Sequence, residues 1–169
     1  MKKVKINLGC GDKYLQGYIN CDVLTLVKAD KYFDLNKFPY PFNKESIDEI
    51  LLDNVLEHLD DIPAVMRELH RIARSKCIIR IYVPYGKSDW AIQDPTHKHY
   101  FTERSMKYFC RNSDYAFYTE FKFKLLKNEL VCHNTTLLHR IRNIIPLRNF
   151  FRYFLFNMYD EIHFQIIKE

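Results

Sequence analysis

The sequence predicts an α/β protein built on a mostly parallel sheet covered by helices, and three observations predict it. Short apolar runs at 4–8, 18–23, 46–52 and 77–83, with one helical stretch before the last, give the order β-β-β-α-β. Gly9 and Gly11 follow the first run at once, where a strand must turn sharply and a ligand can approach bare backbone. Asp22 then ends the second run. A glycine turn after one strand and a carboxylate after the next is how a sheet edge holds a nucleoside.

Composition bounds the rest. A chain of 169 residues, 47% hydrophobic and 28% charged, fits one globular domain, residues 1–169. Its net charge of +5 suits anionic partners without naming one. Five cysteines without Cys-x-x-Cys spacing argue against a disulfide framework or a zinc finger and point to a reducing, cytoplasmic setting. Met1-Lys2-Lys3 runs into a strand with no signal-peptide core, and no apolar run approaches the ~18 residues that span a bilayer.

Taken in order, Val4, Ile6 and Leu8 make the first strand and 18–23 the second, with room at 12–16 for only a turn of helix. That crossover is short against the ~10–12 residues usual for a parallel unit. The stretch Phe38-Pro39-Tyr40-Pro41-Phe42 is an extended loop, because two prolines forbid a helix. The run 46–52 is a strand ending near Asp53-Asn54. From Pro63, Val65, Met66, Leu69, Ile72 and Ala73 recur at helical spacing, with Arg67, Glu68, Arg71 and Arg74 on the polar face. The strand 77–83 follows, stopped by Pro84 and Gly86.

Gly-x-Gly alone also fits an ordinary tight turn. Gly11 is followed by Asp12-Lys13-Tyr14 and not by Lys-Ser/Thr, so this turn is not a phosphate-cradling loop. The gap from Gly11 to Asp22 is short against the ~20 residues of a dinucleotide fingerprint. Together, Asn7-Leu8-Gly9-Cys10-Gly11, Asp22, Asp34-Leu35 ahead of the proline-aromatic loop, and Asn54-Val55-Leu56-Glu57-His58-Leu59 resemble the class I S-adenosylmethionine-dependent methyltransferases. The sequence is most similar to the small methyltransferase type 11-like group often associated with surface-glycan assembly, from about Lys5 to Phe109.

The resemblance implies a Rossmann-like fold, a mostly parallel seven-stranded sheet with an antiparallel terminal hairpin. It implies S-adenosylmethionine as cofactor and S-adenosylhomocysteine as product. Asn7, Leu8, Gly9, Cys10 and Gly11 would carry the methionine end, Asp22 the ribose diol, Asp34 with Leu35 the adenine, and Asn54 would sit beside the sulfonium. Asp34 can equally be a loop acid beside Lys31 and Lys37. The chain departs from the family in lacking a full helix between its first two strands and a third close glycine.

His58, ahead of the N-cap candidates Asp60 and Asp61, either faces the transferred methyl or packs. After the fourth apolar run, Ser88 to Thr102 carries the only tryptophan, Asp94, His97 and His99 at the carboxyl end of a strand. The relatives show a similar Asp-Pro-Thr-His segment, which reads as an acceptor-site lid. His97, with Asp94, is the first candidate for general base toward a hydroxyl; the same pair can instead fix the lid. His97-x-His99 without a third ligand predicts no metal site.

From Thr102, a candidate N-cap, a helix carries Met106, Phe109 and Cys110 inward. Tyr115, Phe117, Thr119, Phe121 and Phe123 at period two, then Leu130 to Cys132, suggest antiparallel edge strands, and 159–167 a closing strand. Between them 137–158 holds Arg140, Arg142, Arg148 and Arg152 among isoleucines, leucines and phenylalanines, divided by Pro146. It either packs on the sheet with its arginines in water or makes peripheral contact with an anionic membrane or a lipid-linked acceptor. Nucleic acid is disfavoured, since no RNA-binding signature is present. The acceptor expected is a glycan or cell-surface precursor hydroxyl, with a protein, RNA or small-molecule acceptor as the alternative. A non-catalytic cofactor-binding partner protein is the rival from another class.

Overall fold

The computed structural model describes residues 3–111, 117, 119–134 and 136–169. Seven strands form one sheet: β1 (Lys5–Leu8), β2 (Ile19–Asp22), β3 (Lys31–Tyr32), β4 (Ile47–Asp53), β5 (Ala73–Pro84), β6 (Phe123–Val131) and β7 (Glu161–Lys168). Their spatial order is β3-β2-β1-β4-β5-β7-β6. β1 to β5 pair in parallel, and β7 enters antiparallel between β5 and β6. This is the Rossmann-like architecture with the antiparallel end that the sequence predicts. Ile6, Leu8, Ile50, Leu52, Ile79 and Ile81 are fully buried along the central strands. The order reverses at β1, so the carboxyl ends of β1, β2 and β4 open a crevice there.

The short crossover between β1 and β2 contains no helix, only turns. Side chains do the work of the missing helix. The Asn7 amide donates to the Lys13 carbonyl (2.9 Å) and to Asn20 Oδ1 (3.1 Å), and Asn20 Oδ1 also accepts the Leu15 N–H (2.9 Å). Two buried asparagines in neighbouring strands thus satisfy the turn's backbone groups, which burial would otherwise leave costly.

The helix α1 (Ile62–Ile72) covers the sheet between β4 and β5. Asp61 caps it, accepting the Ala64 N–H at 2.9 Å, and Val65, Met66, Leu69 and Ile72 are fully buried. Glu68, expected on the polar face, is buried: it accepts the Tyr40 N–H (2.6 Å) and pairs with Arg71 (2.6 Å). It thereby pins the proline-aromatic loop to the helix. Ala73, expected in the helix, opens β5 instead; Lys76, at φ +66°, accompanies a register shift against β4.

Beyond β5 lie α2 (Asp89–Ile92) and a 3-10 turn, Ser105–Phe109, that buries Met106 and Phe109. Thr102 does not cap this turn; its N–H donates to the Ser105 hydroxyl (2.9 Å). Among the described residues of the expected edge strands over 115–133 a single strand, β6, forms; Tyr115 lies outside the described residues. Phe121 and Phe123 are core packing, Phe121 stacking on Phe109 (6.3 Å) and meeting Phe123 edge-on (5.9 Å), whereas Phe117 is exposed.

The segment 137–158 forms α3 (Leu137–Asn143) and α4 (Arg148–Phe151). Three of its four arginines turn inward, and Arg140 stays exposed. Arg142 grips Asp160 with both terminal nitrogens (2.8 and 2.5 Å), Arg152 pairs with Glu103, and Arg148 lies over the Tyr159 ring (4.5 Å). Ile144 is 80% exposed, and Leu147 and Phe154 are 73% exposed. The expected packing with apolar residues inward and arginines in water is inverted, because buried Asp160 and partly buried Glu103 draw the cations in. Among the described residues no helix is long and apolar enough to cross a membrane.

Candidate active site

A cleft of about 640 Å³ opens at the carboxyl ends of β1, β2 and β4. Gly9, at φ +66°, forms its floor; a Cβ there would stand 2.6 Å from Val55 Cγ2, so no other residue fits without displacing Val55. Asp22, 7% exposed, reaches the cleft with its carboxylate fixed from two sides: Oδ2 accepts the Gly11 N–H (2.8 Å) and Oδ1 the Leu24 N–H (2.9 Å). A carboxylate bound so by backbone donors is held rigid while keeping lone pairs for a ligand. Asp34 is held by the Asn36 N–H (2.9 Å), and Phe33 and Leu35 supply apolar wall beside it. Asn54 closes the β4 end in a left-handed conformation (φ +55°), its amide donating to Asp53 (3.0 Å). No lysine or arginine is among the lining residues. Such a lining suits a cationic or neutral nucleoside and offers nothing to phosphate.

The other end of the cleft is formed by His58, Leu59 and Thr96. Thr96 Oγ1 lies 3.0 Å from His58 Nδ1 and donates its proton to Asp94 Oδ1 (2.7 Å). With that single proton spent on Asp94, the His58 Nδ1–H must donate to Thr96, and Nε2 is left as acceptor in the neutral ring. The Thr96 hydroxyl and N–H together hold the Asp94 carboxyl below its usual range. The lid is tied down by the Glu57 carbonyl, which accepts the N–H groups of Lys98 (2.8 Å) and His99 (3.2 Å).

His97, first among the predicted bases, does not line the cleft. Its Nδ1 bonds the Ala91 carbonyl (2.7 Å), and Nε2 lies 4.0 Å from Glu57 and 3.8 Å from Asp94. Glu57 is 1% exposed, and burial, aided by Glu161, Asp53 and Asp94, pushes its carboxyl up to about 7. Its own backbone N–H lies near without meeting hydrogen-bond geometry. His99 turns its Nε2 to the Leu59 carbonyl (2.9 Å), so it is a lid anchor.

The structure therefore brings Gly9, Asp22, Asp34, Leu35, Asn54 and His58 to one cleft. Asn7, Leu8, Cys10 and Gly11 do not line it. Asn7 braces the crossover, Leu8 is core, Gly11 positions Asp22, and the Cys10 thiol, raised by burial and by Asp22, faces the Lys28 carbonyl (3.7 Å). Sequence reasoning missed Val23, Leu24 and Phe33 as walls and Thr96 as the link to Asp94. Thr96 was legible as part of Asp-Pro-Thr-His, but its pairing with His58 across the cleft was not.

Residues 10–81 match the family model of the methyltransferase domain. No curated protein matches the sequence. Among solved structures, a SAM-dependent methyltransferase from Archaeoglobus fulgidus superposes with a TM-score of 0.65 at 16% identity, covering 98% of this chain and 86% of that one. An S-adenosylmethionine-dependent methyltransferase from Mesorhizobium loti gives 0.65 at 11% identity, over 98% and 90%. The [4+2]-cyclase SpnF gives 0.62 at 10% identity, over 98% and 75%. These likenesses carry the fold; SpnF illustrates that the fold by itself does not fix the reaction.

Proposed function

We propose that this chain, an S-adenosylmethionine-dependent methyltransferase by its family match and its fold, methylates a hydroxyl on a glycan or cell-surface precursor. The observation that carries the reading is one cleft with nucleoside-type groups at one end and an oriented imidazole at the other. The residues fit the cofactor: Gly9 brings bare backbone to the cleft floor, Asp22 offers a fixed carboxylate to a ribose diol, and Asp34 lies beside an apolar wall for adenine. Asn54 and the cation-free lining suit a sulfonium. When bound, S-adenosylmethionine supplies an electrophilic methyl group.

The chain's own residues do the rest. The walls hold donor and acceptor in line, and alignment alone supplies much of the acceleration in such displacements. His58 Nε2 is free to take the acceptor's hydroxyl proton, while Asp94, through Thr96, stabilises the imidazolium that results. His97 serves in position rather than in contact, fixing the lid. Residues 137–158 belong to the same reading: an exposed apolar face with Arg140 at its rim suits peripheral contact with an anionic membrane that carries a lipid-linked acceptor.

Calorimetric titration with S-adenosylmethionine and S-adenosylhomocysteine, beside Asp22→Ala, tests the cofactor. Both ligands are expected to bind, with affinity in the variant weakened about tenfold to a hundredfold by loss of charge-assisted hydrogen bonds. Well-folded protein that binds neither ligand overturns the reading. Transfer of labelled methyl groups to lipid-linked glycan fractions rather than to bulk RNA tests the acceptor.

A further inference from the structure

Two histidines and a glutamate from separate segments converge beside the cleft. Glu57 and His58 sit in the 3-10 turn after β4, and His97 comes from the lid. One metal-ligating atom from each lies within 4.8 Å of the other two. Glu57 is almost wholly buried, yet neither carboxylate oxygen has a hydrogen-bond partner among the described residues. Buried carboxylates are ordinarily paired, hydrogen-bonded or bound to metal. Asp53, Asp94 and Glu161 act on Glu57 electrostatically and add negative charge around it.

The spacing is wrong for direct bonding and right for an ion between the groups. His97 Nε2 stands 4.0 Å from Glu57 Oε1, beyond hydrogen-bond range. Two donors each ~2.0–2.2 Å from one tetrahedral ion stand roughly 3.3–3.6 Å apart, so binding here needs a contraction of at most about 1.5 Å at the widest pair. The rings are also held as ligands are held. His97 Nδ1 is engaged by the Ala91 carbonyl (2.7 Å), which turns Nε2 toward Glu57. His58 Nδ1 is engaged by Thr96 (3.0 Å), itself bonded to Asp94 (2.7 Å). A hydrogen bond on the second ring nitrogen is the usual device that orients a metal-binding histidine.

We propose that Glu57, His58 and His97 bind a divalent first-row transition-metal cation of the zinc type, with an open position toward the cleft. Two imidazoles and one carboxylate select such ions over magnesium, which prefers an all-oxygen shell. The site differs from the His97-x-His99 pair weighed from the sequence, since His99 is spent on the Leu59 carbonyl. His58 is a base in the metal-free protein and a ligand in the loaded one, and the two roles exclude each other. In the loaded protein the cation would hold an acceptor oxygen and lower its pKa, a role that rests on the hydroxyl-methylation reading.

The test is spectroscopic and needs no turnover. Protein treated with a chelator and then freed of it is titrated with cobalt(II) chloride, followed by visible absorption, and with zinc chloride by calorimetry. One cobalt per chain is expected, with ligand-field bands of a four- or five-coordinate site, displaced by zinc and not by magnesium. Glu57→Gln and His97→Ala are each expected to weaken binding about a hundredfold or more, beyond the 10–100-fold typical of residues that only support ligands. Circular dichroism and S-adenosylmethionine titration on the same variants establish that they fold and keep the nucleoside site. Absence of saturable cobalt binding, magnesium binding as tight as zinc, or folded variants that bind cobalt unchanged would each overturn the proposal. The S-adenosylmethionine arm reads the methyltransferase assignment separately, so either can fail alone.

Discussion

The β1–β2 unit and the segment 137–158 bury polar and charged groups in opposite ways. In the first, carboxylates and amides meet backbone: Asp22 takes two N–H groups, and Asn7 and Asn20 satisfy a crossover without a helix. In the second, side chain meets side chain: Arg142 with Asp160, Arg152 with Glu103. Backbone donors are fixed by the fold, so the first arrangement orders a site rigidly. Paired ions instead fix which face of a helix turns inward, and here they leave the apolar face outside.

The largest expected effect breaks the second arrangement. Arg142→Met leaves Asp160, 2% exposed, without its bidentate partner, and breaking a buried pair costs about 3–5 kcal/mol. Chemical denaturation should register that loss, while S-adenosylmethionine affinity per folded molecule stays near wild type because the cleft lies at the other strands. A stability loss below about 1 kcal/mol would mean that the inverted packing does not depend on this pair.

Gly9→Ala attacks the first arrangement. Its Cβ meets Val55 and the residue keeps a positive φ, so about 2 kcal/mol of strain is expected together with loss of S-adenosylmethionine binding. Both effects should appear in one variant, because the same backbone forms strand end and cleft floor. Normal affinity in Gly9→Ala would detach the cleft from the cofactor.

How legible each region was follows from the same physics. The strands β1, β2, β4 and β5, the glycine turn and Asp22 were readable because apolar runs, positive-φ glycines and a terminal acid are local patterns; β3, two exposed residues, carries no apolar run and was missed. Glu68 was misassigned because the Tyr40 N–H, which draws it inward, meets it only after the proline-aromatic loop folds back; its pair with Arg71 is local to the helix and fits a polar face as well. The link from His58 through Thr96 to Asp94 joins residues separated by α1 and β5, which no spacing reveals. The arginines of 137–158 were read as solvent-facing because the acids that recruit them lie elsewhere in the chain.

A smaller effect concerns pH. Glu49 is held below its usual range: burial works against it, but the Tyr18 hydroxyl, Lys5 and Arg80 overcome that. A depressed carboxylate contributes stability that is present above its unfolded value of 4.5 and lost as pH falls through the folded value. Glu49→Gln should therefore cost about 1 kcal/mol at neutral pH and flatten the fall in stability below pH ~4.5. Parallel acid limbs for the two proteins would remove Glu49 from the account.

The smallest effect on stability sharpens the comparison most. Leu147 and Phe154 are each 73% exposed, so Leu147→Ser with Phe154→Ser removes little buried area, and stability should change by less than about 0.5 kcal/mol. If the outward face serves a membrane, wild-type protein sediments with vesicles containing anionic phosphatidylserine and the double variant does so several-fold less. Added salt should weaken the wild-type interaction only in part, because insertion of apolar side chains is not screened while attraction to Arg140 is. Wild-type protein that ignores such vesicles would leave the exposed face without a lipid role. A double variant with unchanged sedimentation would place any attachment elsewhere on the surface.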